Sequence, residues 1–383
     1  MTTQLSQQNQ KTFASKAIKS SSIKLPSWFE FKFGTWIANK LTKFLESQTP
    51  PDVRLLEMAS VYEQSQCLYV VAKLKVADYL VDAPKNIESL AAELNVQVEP
   101  LDRVLRYLHE LGIFGQDRFG RYTLNKVSEF LVSNHPQSMQ NVVALYNEEP
   151  YTAWSHLLHT VKTGENAFTS TYKMSLYEYH EAHPNSADIF NRGMNSISIP
   201  LDQAVASDYN FSIYHTLADI GGGQGNLLKQ IIQRYPSVQG ILFETAAVLI
   251  EEVKEEWQYD PLASRIKLQI GDFFNSVPTD VDAYILKGVI HNWPDDKVVQ
   301  IYKTIYQNMK PETQLLLMEP VILEDDPLRR AKLNLDVNMM VINNSRERTI
   351  EQHRRLLEKS GFKITKVVPT RSFISVIVAQ RAS

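Results

Sequence analysis

The sequence has few cysteines and no long apolar run, which excludes several broad classes of protein. Its 383 residues contain a single cysteine, Cys67, so no intrachain disulfide or thiolate metal cluster can form. No apolar run approaches the roughly 18 residues that a membrane-spanning helix needs, and the first residues lack the apolar core of a secretory signal. We therefore expect a cytoplasmic protein in which the Cys67 thiol is buried in an apolar helix.

The chain also lacks a large excess of either positive or negative charge. The formal net charge is −3, which creates no general attraction to nucleic acid. Residues 1–24 are rich in Gln, Ser and Lys and contain no acid, which predicts a disordered tail, with a weak organelle transit peptide as the alternative. The aromatic segment 25–45 is expected to pack on a partner subunit or on its own domain, and membrane contact is not expected.

Glycine is concentrated in one place. A short apolar run, Leu217–Ile220, ends in Gly221, Gly223 and Gly225, and an amphipathic helix and a second apolar run ending in Glu244 follow. Glycines are needed where a strand turns sharply into a helix and its backbone approaches a ligand. An acid about 20 residues further on can accept hydrogen bonds from both hydroxyls of a ribose. The stretch therefore predicts a nucleoside-binding half of an open α/β sheet.

The spacing of these glycines narrows the choice of nucleoside. A dinucleotide fingerprint requires a third glycine at position 226, where the sequence has Asn226, and no Gly-Lys-Ser/Thr follows as in a P-loop. The remaining common use of Asp-x-Gly-x-Gly-x-Gly, which begins here at Asp219, is the binding of S-adenosylmethionine.

The rest of the chain predicts two domains. Strands and helices alternate after Glu244, and strands at Phe362–Pro369 and Phe373–Ala379 predict an antiparallel hairpin at one edge of a doubly wound sheet. Ahead of it, one helix at Val53–Leu80, two shorter helices and a polar hairpin predict a winged helix. A DNA-binding regulator is the alternative interpretation, but the helix Pro100–Leu111, which would be the recognition helix, is not net basic, and this favours a dimerisation platform.

The expected divisions are a tail at 1–24, a winged-helix dimerisation domain at 25–140, a helical connector at 141–207 that contributes to the substrate pocket, and a cofactor-binding catalytic domain at 208–383.

Several polar residues follow the predicted strands, where ligands of such sheets bind. Asp272 could accept a hydrogen bond from an adenine amine while Phe273 packs against the ring. Lys287 and His291 follow the next strand and Glu319 closes the one after it, so that a base oriented by a carboxylate could form. No His-x-x-x-His or comparable spacing predicts a metal site, and no Gly-x-Ser-x-Gly predicts a serine nucleophile.

The motifs ADIGGGQGNLL, QIGDFF, LKGVIHNWPDD, LLLMEPV, LDVNMM and RERTIEQHRRLLEKSGF together resemble a known family. Over roughly residues 53–380 the chain is similar to the S-adenosylmethionine-dependent O-methyltransferases of the plant caffeate, acetylserotonin and bacterial polyketide-tailoring type. These enzymes have a Rossmann-like catalytic domain and a winged-helix domain that pairs two subunits. The resemblance therefore implies a homodimer.

The resemblance also assigns roles to individual residues. It implies His291 as general base, with Glu319 and Glu347 as its orienting carboxylates. The implied cofactor contacts are Gly221, Gly223, Gly225, Glu244, Asp272, Phe273 and Lys287. The residues implied to wall the acceptor pocket are Trp154, Met194, Met339 and Asn343. Glu244 stands where the family usually has Asp, and the longer acid should still reach the ribose.

The resulting hypothesis is a methyltransferase that uses S-adenosylmethionine as methyl donor and no metal. Its acceptor would be a hydroxyl of a small aromatic or polyketide-like metabolite, and no nucleic acid would take part. The alternative is a cofactor-binding relative that performs N- or C-methylation or another reaction on a small metabolite.

Overall fold

The computed structural model describes residues 25–249 and 251–382, so the predicted tail at 1–24 lies outside the described residues. The chain divides into two compact units. The described residues of the first unit are Ser60–Ala144, and the second combines Leu25–Ala59 with Leu145–Ser383. Within the described part of the chain, no helix is both long and apolar enough to cross a membrane.

The N-terminal part of the chain is mainly helical, as predicted. Its elements are α1 Trp28–Gln48, α2 Pro51–Lys73, α3 Val76–Tyr79, α4 Ile87–Leu94, α5 Val98–Glu110, β1 Gly115–Gln116, β2 Tyr122–Thr123 and a 3-10 turn at Ser128–Leu131. The strands β1 and β2 pair antiparallel and form the expected hairpin. Leu90, Leu105 and Phe114 are almost completely buried at the centre of the first unit. Cys67 is only partly buried, at the edge of this core.

The prediction of one helix over Val53–Leu80 was wrong at its end. The chain leaves α2 after Lys73, and Lys75 adopts a left-handed conformation with φ 56° before α3 begins. The turn brings Val76 and Ala77 into the core of the unit. The sequence has no glycine or proline there to signal a break, and its helical periodicity continues past Lys75. The break is imposed by tertiary packing, which overrides the local preference for helix.

A series of helices leads into the second unit: α6 Gln140–Asn147, α7 Glu149–Trp154, α8 Leu157–Thr163, α9 Ala167–Tyr172, α10 Leu176–Ala182 and α11 Pro184–Asp208. Four of them begin with side-chain caps or a proline in the first turn, such as the Ser175–Glu178 capping box of α10. The longest, α11, has 25 residues and packs on the helix that follows the glycine turn.

The sheet of the second unit has seven strands. Its elements are β3 Thr216–Ile220, α12 Asn226–Arg234, β4 Gln239–Glu244, α13 Glu251–Gln258, β5 Ile266–Ile270, β6 Ala283–Lys287, α14 Asp295–Asn308, β7 Gln314–Glu319, α15 Arg329–Asn343, α16 Ile350–Lys359, β8 Phe362–Pro369 and β9 Ser375–Arg381. The strand order is β5-β4-β3-β6-β7-β9-β8. All neighbours are parallel except β9, which runs antiparallel to β7 and β8.

This topology confirms the predicted fold class, including the antiparallel hairpin at one edge. One apolar core lies on each face of the sheet, and Leu217, Leu316 and Ala218 of the central strands are fully buried. Because the five parallel strands all end at the same edge, the residues that follow them are brought together there.

Candidate functional site

The turn after β3 is built on glycine. Gly221, Gly223 and Gly225 have φ angles of +69°, +58° and +83°, a region that residues with a Cβ atom rarely adopt. A Cβ on Gly222 would lie 2.5 Å from the Asp219 Oδ2 atom, and one on Gly225 would lie 2.6 Å from the Trp257 ring. The turn therefore presents bare backbone at the edge of the sheet.

Two of the residues predicted to contact a cofactor lie beside this turn. Glu244 ends β4, and its carboxylate accepts hydrogen bonds from the backbone N–H of Gly223 at 3.2 Å and of Thr245 at 2.8 Å. The Phe273 ring lies 3.6 Å from the position of a Cβ on Gly221. Asp272 instead accepts hydrogen bonds within its own loop, from the Phe274 N–H and the Asn275 side chain.

A cavity of about 360 Å³ opens on the glycine turn. Its polar lining includes Asp202 and Ser198 of α11, Asp219 of β3 and Lys287 of β6. The Lys287 ammonium donates to the Asp202 carboxylate and, at 3.2 Å, to the Ser198 hydroxyl. The predicted cofactor residue Lys287 is thus held at the cavity by α11.

The carboxylates of this cavity have unused acceptor capacity. In the part of the chain that the structure describes, both oxygens of Asp219 and the Oδ2 atom of Asp202 are buried without a hydrogen-bond partner. Burial raises the pKa of Asp219 to about 7, although the Lys287 charge opposes the shift. Burial likewise raises the pKa of Asp202, again against the Lys287 charge. Unsatisfied buried carboxylates favour a ligand that brings a positive charge and N–H donors.

His291 lies in a 3-10 turn, Ile290–Asn292, just beyond β6. Its Nδ1–H donates to the Glu347 Oε1 atom at 2.7 Å, while the Glu319 Oε2 atom lies 3.9 Å from Nδ1. Glu319 also fixes the turn, because its Oε1 atom accepts the Ile290 N–H at 2.9 Å. Both carboxylates are almost fully buried, whereas the His291 side chain is 19% exposed. The hydrogen bond at Nδ1 leaves Nε2 as the nitrogen that can take up a proton.

The charges around His291 control its proton affinity. Burial alone would lower the pKa of His291, but the negative charge of Glu319 and the hydrogen bond and charge of Glu347 outweigh burial and raise the pKa to about 9. Burial also raises the pKa of Glu319 above its ordinary value. The cluster therefore stabilises an imidazolium while keeping the ring in one orientation.

Arg348 was not among the predicted site residues, yet it holds the His291 turn in place. Its guanidinium is fully buried and donates to the Ile290 carbonyl at 2.9 Å, the Trp293 carbonyl at 2.8 Å and the Asp295 carboxylate at 2.7 Å. The side chain follows Glu347 directly, so one short segment supplies both the carboxylate and the brace. A basic residue beside the predicted acid was the only sequence signal for it.

The four residues predicted to wall the acceptor pocket lie on three helices. Trp154 of α7 donates its indole N–H to Asn338 of α15 at 3.0 Å, and Met339 is buried on the same helix. Asn343 at the end of α15 donates to the Asn292 side chain at 3.0 Å, next to His291. Met194 of α11 instead lines the cavity at the glycine turn. The structure thus brings Asn343 beside the His291 turn and Met194 to the cavity at the glycine turn.

Asp202 is the most informative residue that the sequence analysis missed. It lies in the C-terminal third of α11, and although acids are usually exposed it is fully buried. Its partner Lys287 is 85 residues away, so only the fold reveals the pair. An acid within the apolar run PLDQAVA was the one available signal.

His291, Glu319 and Glu347 are also close enough to hold a metal ion, since one potential ligand atom of each lies within 4.8 Å of the others. Two of these groups are already engaged with one another, because Glu347 accepts the Nδ1 proton of His291. A cation would have to displace that hydrogen bond.

Comparison with protein families identifies two domains. The profile of an O-methyltransferase domain matches residues 154–363, and that of an O-methyltransferase dimerisation domain matches residues 56–134. The first covers the cavity, the glycine turn and the His291 cluster.

Individual proteins agree with this result. The phenazine O-methyltransferase PhzM of Lysobacter antibioticus is 35% identical over 326 residues, which are 85% of this chain and 95% of the relative. The 8-amino-8-demethylriboflavin N,N-dimethyltransferase of Streptomyces davaonensis is 31% identical over 81% of this chain and 90% of the relative. The crystal structure of LaPhzM superposes with a TM-score of 0.81 at 34% identity and covers 87% of this chain and all of that one.

The proton affinity of His291 can be measured without any ligand. In an NMR titration of labelled histidine, we expect the His291 ring to stay protonated until the pH approaches about 9, and Glu347→Gln to lower its pKa toward 6.5. Since the folded-state pKa is raised, this group contributes stability below pH 6.5 that is lost as the pH rises through about 9.

Glu351→Gln is the matched control for this titration. Glu351 is exposed on α16 and pairs with Arg354 and Arg355, so its loss should leave the His291 titration unchanged. His353 provides an internal reference, because burial and the Arg348 charge lower its pKa to about 3. A wild-type His291 that titrates near 6.5 would contradict the electrostatic account.

Proposed function

This chain belongs to the O-methyltransferase family, and we propose that His291 removes the proton from an acceptor hydroxyl as its oxygen is methylated. S-adenosylmethionine, the methyl donor of the family, supplies a methyl group on a sulfonium that is already electrophilic. The enzyme has to align the acceptor oxygen and take its proton. The observation that carries the proposal is the His291 imidazole held by two buried carboxylates at the sheet edge that also bears the glycine turn.

The proton affinity of His291 suits a phenolic acceptor. A phenol has an ordinary pKa of about 10, close to the His291 pKa of about 9, so proton transfer between them is nearly balanced. Glu347 and Glu319 stabilise the imidazolium that forms. Because the base must start neutral, turnover is expected to rise with pH toward about 9.

The cavity at the glycine turn fits the methionine end of the cofactor. The α-ammonium of S-adenosylmethionine would supply the N–H donors and positive charge that the unpaired oxygens of Asp202 and Asp219 can accept. The Lys287 ammonium would pair with the α-carboxylate of the cofactor. Glu244 would accept from the ribose hydroxyls, and Asp272 and Phe273 would meet the adenine. Gly221 and Gly223 would let the cofactor approach the backbone, whereas Gly225 is required by the turn and by Trp257.

The proposed acceptor is a small hydroxylated aromatic or polyketide-like metabolite. Trp154 and Met339 offer apolar surface, and Asn343 offers an amide next to the His291 turn. The relative PhzM is named for a phenazine, a planar aromatic acceptor class consistent with such a wall.

Methylation of nitrogen is the second candidate function, because one relative is named an N,N-dimethyltransferase. A neutral amine attacks through a lone pair that needs no base, whereas a hydroxyl benefits from losing its proton. The His291 cluster therefore favours oxygen as the methylated atom.

Three further features remain proposals. The dimerisation domain supports a homodimer, and we place the chain in the cytoplasm. The predicted domain boundaries at 24/25, 140/141 and 207/208 are retained as sequence-based proposals.

Replacement of His291 tests whether this residue acts in methyl transfer or in cofactor binding. We expect His291→Gln to lower turnover about 10²- to 10⁴-fold, the usual contribution of a positioned base, while calorimetry shows nearly unchanged affinity for S-adenosylhomocysteine. His215→Gln is the matched control, since His215 is exposed and lies at the opposite end of β3. Unchanged turnover in His291→Gln would remove this residue from the mechanism.

The role of Asp202 can be tested by binding alone. We expect Asp202→Asn to weaken S-adenosylhomocysteine binding about 10- to 100-fold, the usual effect of losing a charge-assisted hydrogen bond. Binding of 5′-methylthioadenosine, which lacks the amino-acid part, should change little. Ser198→Ala is the control, because Ser198 contacts Lys287 without adding a charge. Equal weakening of both ligands would show that Asp202 supports the fold instead.

We propose that methyl transfer needs no metal, because the His291 ring is already hydrogen-bonded to Glu347. Turnover should survive dialysis against a chelator. Loss of turnover that a divalent cation restores would instead assign His291, Glu319 and Glu347 to a metal site.

A further inference from the structure

The N-terminal helix α1 has an unusual relation to its own chain. None of its 21 residues, all of which the structure describes, is buried. The partly buried positions Phe31, Thr35 and Glu46 recur at helical spacing and define the face turned toward the rest of the second unit, to which α1 belongs. Most of the stability of a helix in a protein comes from packing one of its faces, and α1 has little of that packing within its own chain.

The inner face of α1 is held mainly by polar contacts. The Asn39 side chain donates to the Pro327 carbonyl at 2.7 Å, and the Glu46 carboxylate pairs with Arg330 at 2.8 Å. A cavity of about 1210 Å³ lies between α1 and the segment around Pro327. Exposed ion pairs contribute little to stability, so these contacts orient the helix more than they stabilise it.

The outer face of α1 is apolar. Large side chains that are roughly half or more exposed recur along it, and they form a stripe on the side opposite Thr35. The members of this outer stripe are Phe29, Phe33, Ile37, Leu41, Phe44 and Leu45. This is the reverse of an ordinary surface helix, which turns its apolar face inward. An apolar stripe of this length marks an interaction surface.

Exposed apolar side chains also occur at the start of α2. Leu55, Leu56 and Met58 are between 61% and 70% exposed. The match to the dimerisation domain begins at residue 56, within this stretch, whereas α1 precedes it entirely. The outer stripe is therefore continuous in the chain with the start of the region that supports a homodimer.

We propose that the outer stripe of α1 and the first turns of α2 pack against the same surface of a second copy of this chain. In a two-fold symmetric dimer the outer stripe of each copy packs against that of the other, so the apolar surface of both copies is buried from solvent. The start of α2 carries Asp52 and Glu57, whereas the lysines of α1, Lys32, Lys40 and Lys43, line the cavity on its inner side.

An anionic membrane is the competing occupant, since a helix with an aromatic face and flanking lysines can lie on lipid. The acids at the start of α2 oppose that placement, because they would face the same negative surface. The two occupants predict different results for variants of the stripe.

The test is the dimer dissociation constant of the full chain, measured by sedimentation across a dilution series. We expect Ile37→Glu combined with Leu41→Glu to raise this constant on the order of a hundredfold, because two aliphatic side chains lose their burial and charges enter the interface. The matched control is Ile213→Glu combined with Tyr259→Glu, two exposed apolar residues outside the stripe. Far-ultraviolet circular dichroism checks that each variant is folded.

Cross-linking gives a second readout that needs no disruption. With Cys67→Ala as background, Ile37→Cys supplies one thiol per chain, and a short bismaleimide should join two copies at concentrations where a thiol at Tyr259→Cys is not joined. A wild-type monomer, an unchanged dissociation constant in the Glu variant, or absent cross-linking would each overturn the proposal. Binding of the wild type, but not of the Glu variant, to phosphatidylserine vesicles without any change in dimerisation would assign the stripe to a membrane.

Discussion

The functional part of the structure depends on the turn by which β3 enters α12. Three glycines of this turn have positive φ angles, a Cβ on Gly222 or Gly225 would collide with its neighbours, and Asp219 is buried beneath the turn. The turn places bare backbone and unsatisfied carboxylates at the edge where the parallel strands end. Glu244, Lys287 and Glu319 reach that edge because each closes a neighbouring strand. One backbone constraint thus brings the glycine turn, Glu244, Lys287 and Glu319 into one region.

The His291 cluster balances two opposing effects. Burial disfavours a charged imidazole, and the two carboxylates more than reverse that effect. Such a cluster is costly to assemble, because two acids must be buried near one another. Arg348 offsets part of this cost by satisfying the carbonyls of the His291 turn and the Asp295 carboxylate. The outcome is an imidazole whose pKa, raised to about 9, approaches that of a phenol.

Much of this organisation could be predicted from local sequence signals. Glycine spacing located the turn, and strand ends located Glu244 and His291, because strand and glycine patterns act over a few residues. The break at Lys75 could not be predicted, since it is imposed by the packing of Val76 and Ala77. The ion pair between Asp202 and Lys287 was likewise invisible, because its partners meet only after α11 packs beside the sheet. Long-range pairing of buried charges leaves no periodic signal in the sequence.

The central claim concerns which atom of the acceptor receives the methyl group. The most direct measurement supplies S-adenosylmethionine carrying a ¹³C-labelled methyl group together with aromatic acceptors that bear both a hydroxyl and an amine, and identifies the labelled position by NMR. The account predicts label on oxygen, with a rate that rises with pH toward the His291 pKa. Label on nitrogen or carbon, or transfer that does not depend on pH, would contradict it.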